Sequence, residues 1–140
     1  MNLYNYHSQP EELHKHKEAD ESVVDVFWDK YRTTAYQLKK REPAIAKSAM
    51  YSYYYAKNVL KGRFPLGEPE IAKSAEWSYE YARDVLKGKF PLGEPAIAKD
   101  RVYSYDYADV VLDARFPLGE PAIKQNQYLW QEYKKDFKID

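Results

Sequence analysis

The chain has 140 residues, with 22 lysines and arginines balancing 22 aspartates and glutamates, and no cysteine. This length suits one modest domain, the charge balance lacks the basic excess of a non-specific nucleic-acid binder, and the missing thiols exclude disulfides, thiolate metal sites and cysteine nucleophiles, which fits a reducing cytoplasm. No stretch approaches the roughly 18 apolar residues of a membrane span, and the polar residues 1–10 do not read as a signal peptide, so the sequence predicts a cytoplasmic protein with no membrane partner.

At the start of the chain, Ser8-Gln9-Pro10-Glu11 and Ser22-Val23-Val24-Asp25 both resemble capping boxes. They predict helices over about residues 9–18 and 23–40. In the second of these, Tyr31 and Leu38 repeat the spacing of Tyr53 and Leu60, which reads as a degenerate repeat, and residues 1–41 together are expected to form an N-terminal helical cap. His14 and His16 are two apart and project to different sides of a helix, while His7 lies in a loop. That is not the ligand spacing of a zinc helix.

From Glu42 onward the chain is a tandem repeat. Glu-Pro-Ala-Ile at Glu42 returns as Glu-Pro-Glu-Ile at Glu68 and recurs at Glu94 and Glu120, a period of 26 residues. The units are 42–67, 68–93, 94–119 and a truncated 120–140. Self-similarity at this period predicts an all-α fold in which short two-helix units stack as a small solenoid within one structural domain. In each unit a proline (Pro43, Pro69, Pro95, Pro121) starts a short helix of about two turns, where its missing N–H costs nothing. The isoleucine two residues later (Ile45, Ile71, Ile97, Ile123) is its expected core anchor. Ser48, Ser74, Asp100 and Asn126 follow, four residues that share good N-capping chemistry, and a second helix should begin there.

On a 100° wheel Ser52, Tyr55, Ala56, Val59 and Leu60 form the buried stripe of this second helix, and their counterparts in the next two units are the same or nearly so. Small residues at 52/56, 78/82 and 104/108 would let neighbouring helices approach closely. Gly62 and Gly88 are expected to supply the left-handed residue that ends the helix, with a local variation where Ala114 stands in the third unit. The link Phe64-Pro65-Leu66-Gly67, repeated at Phe90 and Phe116, has the proline and glycine placement of a type I turn, and its phenylalanine should plug the gap between units. In the last unit Trp130 and Lys134 replace the small residues and Phe137 replaces valine.

Fifteen tyrosines lift the aromatic content to 16%. Tyr53, Tyr79 and Tyr105 border one edge of the stripe, with Tyr51, Trp77 and Tyr103 on the other. Rings at helical spacing serve packing first, and a ladder left exposed would be a binding strip. Opposite the stripe lie the positions that vary. They read Met50, Tyr54, Lys57 and Lys61 in the first unit; Glu76, Glu80, Arg83 and Lys87 in the second; Val102, Asp106, Asp109 and Asp113 in the third. Whole-unit charge follows the same course, at +3 for 42–67 (four basic, one acidic), −1 for 68–93 (four and five) and −2 for 94–119 (three and five). Faces of opposite sign can orient a protein partner.

Base stacking on the tyrosine rings, with Lys47, Lys73, Lys99, Arg63, Lys89 and Arg115 on phosphates, is the competing nucleic-acid arrangement. The recurring glutamates beside those cations should pair with them, which argues against it. Asp106, Asp109 and Asp113 share a face that could hold a divalent cation, although exposed acids of this kind more often stay solvated or meet basic groups. No glycine-rich phosphate loop, nucleophile elbow or acid/base pair appears.

Residues 53–65, from Tyr53-Tyr54-Tyr55-Ala56 through Val59-Leu60-Lys61-Gly62-Arg63-Phe64-Pro65, with the matching stretches from Tyr79 and Tyr105, resemble short tandem helical repeats of uncharacterised proteins from large tailed phages and some giant viruses. The likeness covers residues 42–123. Those relatives often begin the second helix with Asp-Pro, where this chain has Ser48-Ala49, Ser74-Ala75 and Asp100-Arg101. The resemblance implies a viral setting and no catalytic residue. The expectation is a non-catalytic, cofactor-free protein-binding repeat that inhibits a host or defence protein. Tyr54, Lys57, Lys61, Glu80, Arg83, Lys87, Asp106, Asp109 and Asp113 supply the contacts, and self-assembly and nucleic-acid binding stay open as alternatives.

Overall fold

The computed structural model describes residues 35–140, and every regular element among them is helical. The expected helix over residues 9–18, the first part of the one over 23–40, Tyr31 and the three histidines lie outside the described residues. The chain falls into two compact units, one ending at Glu70 and the other spanning Ile71–Asp140.

In the first unit, α1 (Ala35–Ile45) carries Pro43 inside it. A separate short helix starting at Pro43 is therefore not what forms. Later repeats break the chain with Phe-Pro-Leu-Gly before the glutamate, whereas Lys39-Lys40-Arg41 precede Glu42, and these are helix formers that give the chain no reason to stop. Ser48 then caps α2 (Ala49–Tyr54) by accepting the Tyr51 amide at 3.3 Å. The helix continues as a π-wound segment, Tyr55–Leu60, and a 3-10 turn, Pro65–Gly67, leads into α3 (Glu68–Ile71).

The second unit repeats this course. Its elements are α4 (Ala75–Tyr81) with π-wound Ala82–Leu86, the 3-10 turn Pro91–Gly93, α5 (Glu94–Ile97), α6 (Arg101–Asp106) with π-wound Tyr107–Leu112, the 3-10 turn Pro117–Gly119, α7 (Glu120–Ile123) and α8 (Gln127–Asp136). Ser74, Asp100 and Asn126 cap α4, α6 and α8 through their side chains, as expected from their chemistry. The short α-helices hold a single turn of four residues. The two turns expected are reached only by counting the 3-10 turn that runs directly into each.

Packing follows the repeat. Ile45, Ile71, Ile97 and Ile123 are fully buried, and Phe64, Phe90 and Phe116 nearly so. Each phenylalanine meets the tyrosine of its own repeat edge-on, Tyr55–Phe64 at 4.9 Å, Tyr81–Phe90 at 5.1 Å and Tyr107–Phe116 at 5.0 Å. Ser78 and Ser104 are more than small: their hydroxyls donate to the Ile71 and Ile97 carbonyls at 2.9 and 2.8 Å, closing the end of each short helix. Gly93 and Gly119 lie against these serines. A Cβ on Gly93 would sit 2.6 Å from the Ser78 Cβ and 2.5 Å from the Phe90 ring. The glycine is required by this approach, not by its backbone angles, since no glycine has positive φ among the described residues.

Within the second unit one tyrosine per repeat latches successive repeats together. The Phe90 amide donates to the Tyr107 hydroxyl at 3.0 Å, and that hydroxyl donates to Glu94 Oε1 at 2.7 Å. Tyr133 does the same with Phe116 at 2.7 Å and Glu120 at 3.0 Å. Burial, and then the glutamate, hold both phenols above their ordinary range. Arg115 grips Glu120 with two parallel bonds of 2.8 and 2.9 Å, and Arg63 grips Glu68 in the first unit with two of 2.9 Å.

The helix ends differ from expectation. The left-handed residues are Lys61, Lys87 and Asp113 (φ 52°, 52° and 47°), one position before Gly62, Gly88 and Ala114. Gly62 and its counterparts only donate an amide, to the carbonyls of Ala56, Ala82 and Ala108 at 3.1 Å. Ala114 can donate as well as glycine, so the third unit shows no local variation. The π-winding also corrects the wheel. Ser52, Tyr55, Ala56 and their counterparts are buried, but Leu60 is exposed and Val59, Val85, Leu86, Val111 and Leu112 are only half-buried. A turn holding more than 3.6 residues rotates the last positions off a 100° stripe.

Candidate protein-binding surface

The tyrosine ladders are mostly packing. Tyr51, Tyr53 and Tyr79 are buried, and Trp77, Tyr103 and Tyr105 are half-buried, so neither edge forms an open aromatic strip. Tyr79 and Tyr103 meet at 5.7 Å, and Tyr105 lies 6.0 Å from Tyr133.

In the first unit, the outer face of α2 and its π-wound extension presents Tyr54, Lys57 and Lys61. Tyr54 is half-buried, its ring edge-on to Tyr53 at 4.9 Å. Lys57 is exposed, donates to the Tyr53 hydroxyl at 3.1 Å and lies 5.4 Å from that ring's centre. Lys61 is exposed at the left-handed position.

The second unit brings Glu80, Arg83 and Asp106 together. Arg83 donates through Nη2 to Glu80, and through Nε and Nη2 to the two carboxylate oxygens of Asp84 at 2.7 and 2.9 Å, while its guanidinium lies 5.2 Å from the Tyr79 ring centre. The Asp84 bonds above all, helped by Tyr79 and Glu80, hold the guanidinium firmly protonated. Asp106 is pushed above the usual carboxylate range by partial burial and then by Asp109 and Asp100, with Arg83 opposing. Around it Tyr103 is raised by burial and by Glu76, Asp100, Glu80 and Asp106. Tyr105 donates to Asp136 and feels Asp109 and Glu132 as well. This face is acidic, with Arg83 held inside it. Lys87 and Asp113 are exposed at their left-handed positions, and Asp109 is exposed on its π-wound segment.

Helical spacing did not reveal Asp84 as the partner of Arg83, because adjacent residues do not face each other on an α-helix. Val102 stands about half exposed on the variable face, as expected, but helical spacing did not reveal that Val110 is about half exposed as well, or that Leu92 and Leu118 are more than half exposed on their 3-10 turns. Asp106, Asp109 and Asp113 do not converge on a metal: no group of three or more His, Cys, Asp or Glu side chains that could hold one occurs among the described residues. No described helix is long and apolar enough to cross a membrane. Comparison of the chain with protein-family models, curated proteins and solved structures returned no match.

Proposed function

We propose that this is a non-catalytic helical repeat protein that binds another protein stoichiometrically through the outer faces of its second helices. One observation carries the reading: equivalent positions on near-identical backbone bear unlike side chains. Tyr54, Glu80 and Asp106 are one such set; Lys57, Arg83 and Asp109 are a second and Lys61, Lys87 and Asp113 a third, both changing from cation to carboxylate in the third repeat, while the buried positions between them stay nearly constant. Side chains that packing does not dictate are where recognition can be written. The resemblance to phage and giant-virus repeats supports a specific role, an inhibitor of a host or defence protein acting in the cytoplasm of an infected cell. Nucleic-acid binding is the weaker reading, since Arg63 and Arg115 are each already held by a glutamate through two bonds.

The test is affinity capture with the tagged protein from host lysate with and without nuclease treatment, read by mass spectrometry. One protein enriched at near-equal stoichiometry is the expected result. Recovery only of RNA-dependent proteins that vanish with nuclease would overturn it.

A further inference from the structure

The outer faces of the first and third repeats, one in each unit, carry opposite charge on matching backbone. In the first, Lys57 and Lys61 are four residues apart on a π-wound segment that closes at Lys61 with φ 52° and ψ 42°. In the third, Asp109 and Asp113 are four apart on a π-wound segment that closes at Asp113 with φ 47° and ψ 41°. The cation pair and the carboxylate pair therefore have the same separation and direction along the chain. Each face also offers apolar surface: Tyr54 beside the lysines, and Val102 and Val110, about half exposed, beside the aspartates.

We propose that a second copy of this chain is a partner for these faces, the basic face of one copy's first unit docking on the acidic face of another copy's second unit. The inference rests on reading the faces as binding surfaces. Set parallel, the two segments bring Lys57 to Asp109 and Lys61 to Asp113, with Tyr54 level with Asp106 and toward the valines one turn to either side of it. The charge pairs fix register and direction, while the apolar contact gives the hold, because exposed ion pairs alone contribute little. The closeness of Asp100 and Asp109 to Asp106, which burial first and then these two carboxylates push above the usual range, favours a cationic occupant, since an arriving ammonium group offsets the repulsive part. A heterologous contact of this kind either closes on itself reciprocally or continues as a chain of copies.

The test is light scattering of the full chain over a range of concentrations, at about 0.05 M and about 0.5 M salt. Two double variants accompany it, Lys57→Asp with Lys61→Asp, and Asp109→Lys with Asp113→Lys. The second pair installs what the first repeat already carries at the same positions, and the first pair what the third repeat carries, so each backbone has a precedent within this chain. Wild type should exceed the monomer mass at low salt and associate about tenfold more weakly or worse at high salt. Each variant alone should be monomeric with unchanged helicity by circular dichroism, and an equimolar mixture of the two should associate again. Monomeric wild type throughout, association by either variant alone, or a mixture that stays monomeric would overturn the proposal. None of those outcomes touches capture of a different protein, which tests the broader reading separately.

Discussion

Asp106 and Glu120 are both carboxylates of the second unit, and their neighbours push them in opposite directions. Asp106 is raised by partial burial and by Asp109 and Asp100. The folded protein thus holds that proton more tightly than the unfolded chain, and the ionised group costs stability at neutral pH, a cost that disappears as pH falls and Asp106 is protonated. Asp106→Asn should raise stability at pH 7 by a few tenths to about 1 kcal/mol and give no gain near pH 3, since the group is substantially exposed and screened. Glu120 is lowered, first by Arg115, with burial opposing and Tyr133 helping. Its contribution is present above the unfolded carboxylate value of about 4.3 and is lost as pH falls through the lower folded one. Glu120→Gln should therefore cost about 1 kcal/mol at pH 7, with the difference from wild type narrowing in acid. Urea denaturation of both variants at a series of pH values checks the two signs together. A Glu120→Gln deficit that widened in acid would contradict the latch.

At the scale of the element, what the sequence revealed is what local chemistry dictates. Prolines, N-caps, the isoleucine anchors and the phenylalanine plugs all sit where capping and burial rules place them. The π-winding was invisible because no residue type marks it. It shows only when the backbone closures of the repeats are compared. In the last repeat α8 is α-wound to Asp136, the left-handed residue is Lys138, and the Ile139 amide closes on the Lys134 carbonyl at 2.8 Å. By the 26-residue register Lys134 corresponds to Ala56 and Lys138 to Leu60, so this helix closes one residue sooner than the others. The π-wound helices thus hold one residue more than the Schellman closure that α8 makes. Misplacing that residue is what put Gly62 and Gly88 at the left-handed position and Leu60 in the core. Lys87→Gly should stabilise by up to about 1 kcal/mol, the relief of left-handed strain being partly offset by glycine's chain entropy. Asp113→Gly should gain less, because aspartate tolerates that conformation better. Gly93→Ala should cost about 1–3 kcal/mol by overpacking Ser78 and Phe90. Ser78→Gly in the same chain should recover part of that loss, since Phe90 still crowds the new methyl; a double-mutant cycle by thermal denaturation would show the coupling, and strict additivity would contradict the contact.

For the molecule as a whole, zero net charge conceals an uneven distribution, from +3 in residues 42–67 to −2 in residues 94–119. Those positions were legible because a tandem repeat separates what packing needs from what it leaves free. Lys57, Lys61, Lys87, Asp109 and Asp113 are exposed as the variable face requires. Less legible was how far Arg83 is occupied by Glu80 and Asp84, and that Asp106 is partly buried beside it, since these depend on π-winding and on packing between repeats. The measurement that tests binding through charged helix faces most directly is the affinity of the captured protein for wild type and for a variant with Asp106, Asp109 and Asp113 changed to lysine, each checked for helicity by circular dichroism. Affinity lower by about tenfold or more with helicity intact is the predicted result. Equal affinity in the two proteins would contradict the assignment of that face as a binding surface.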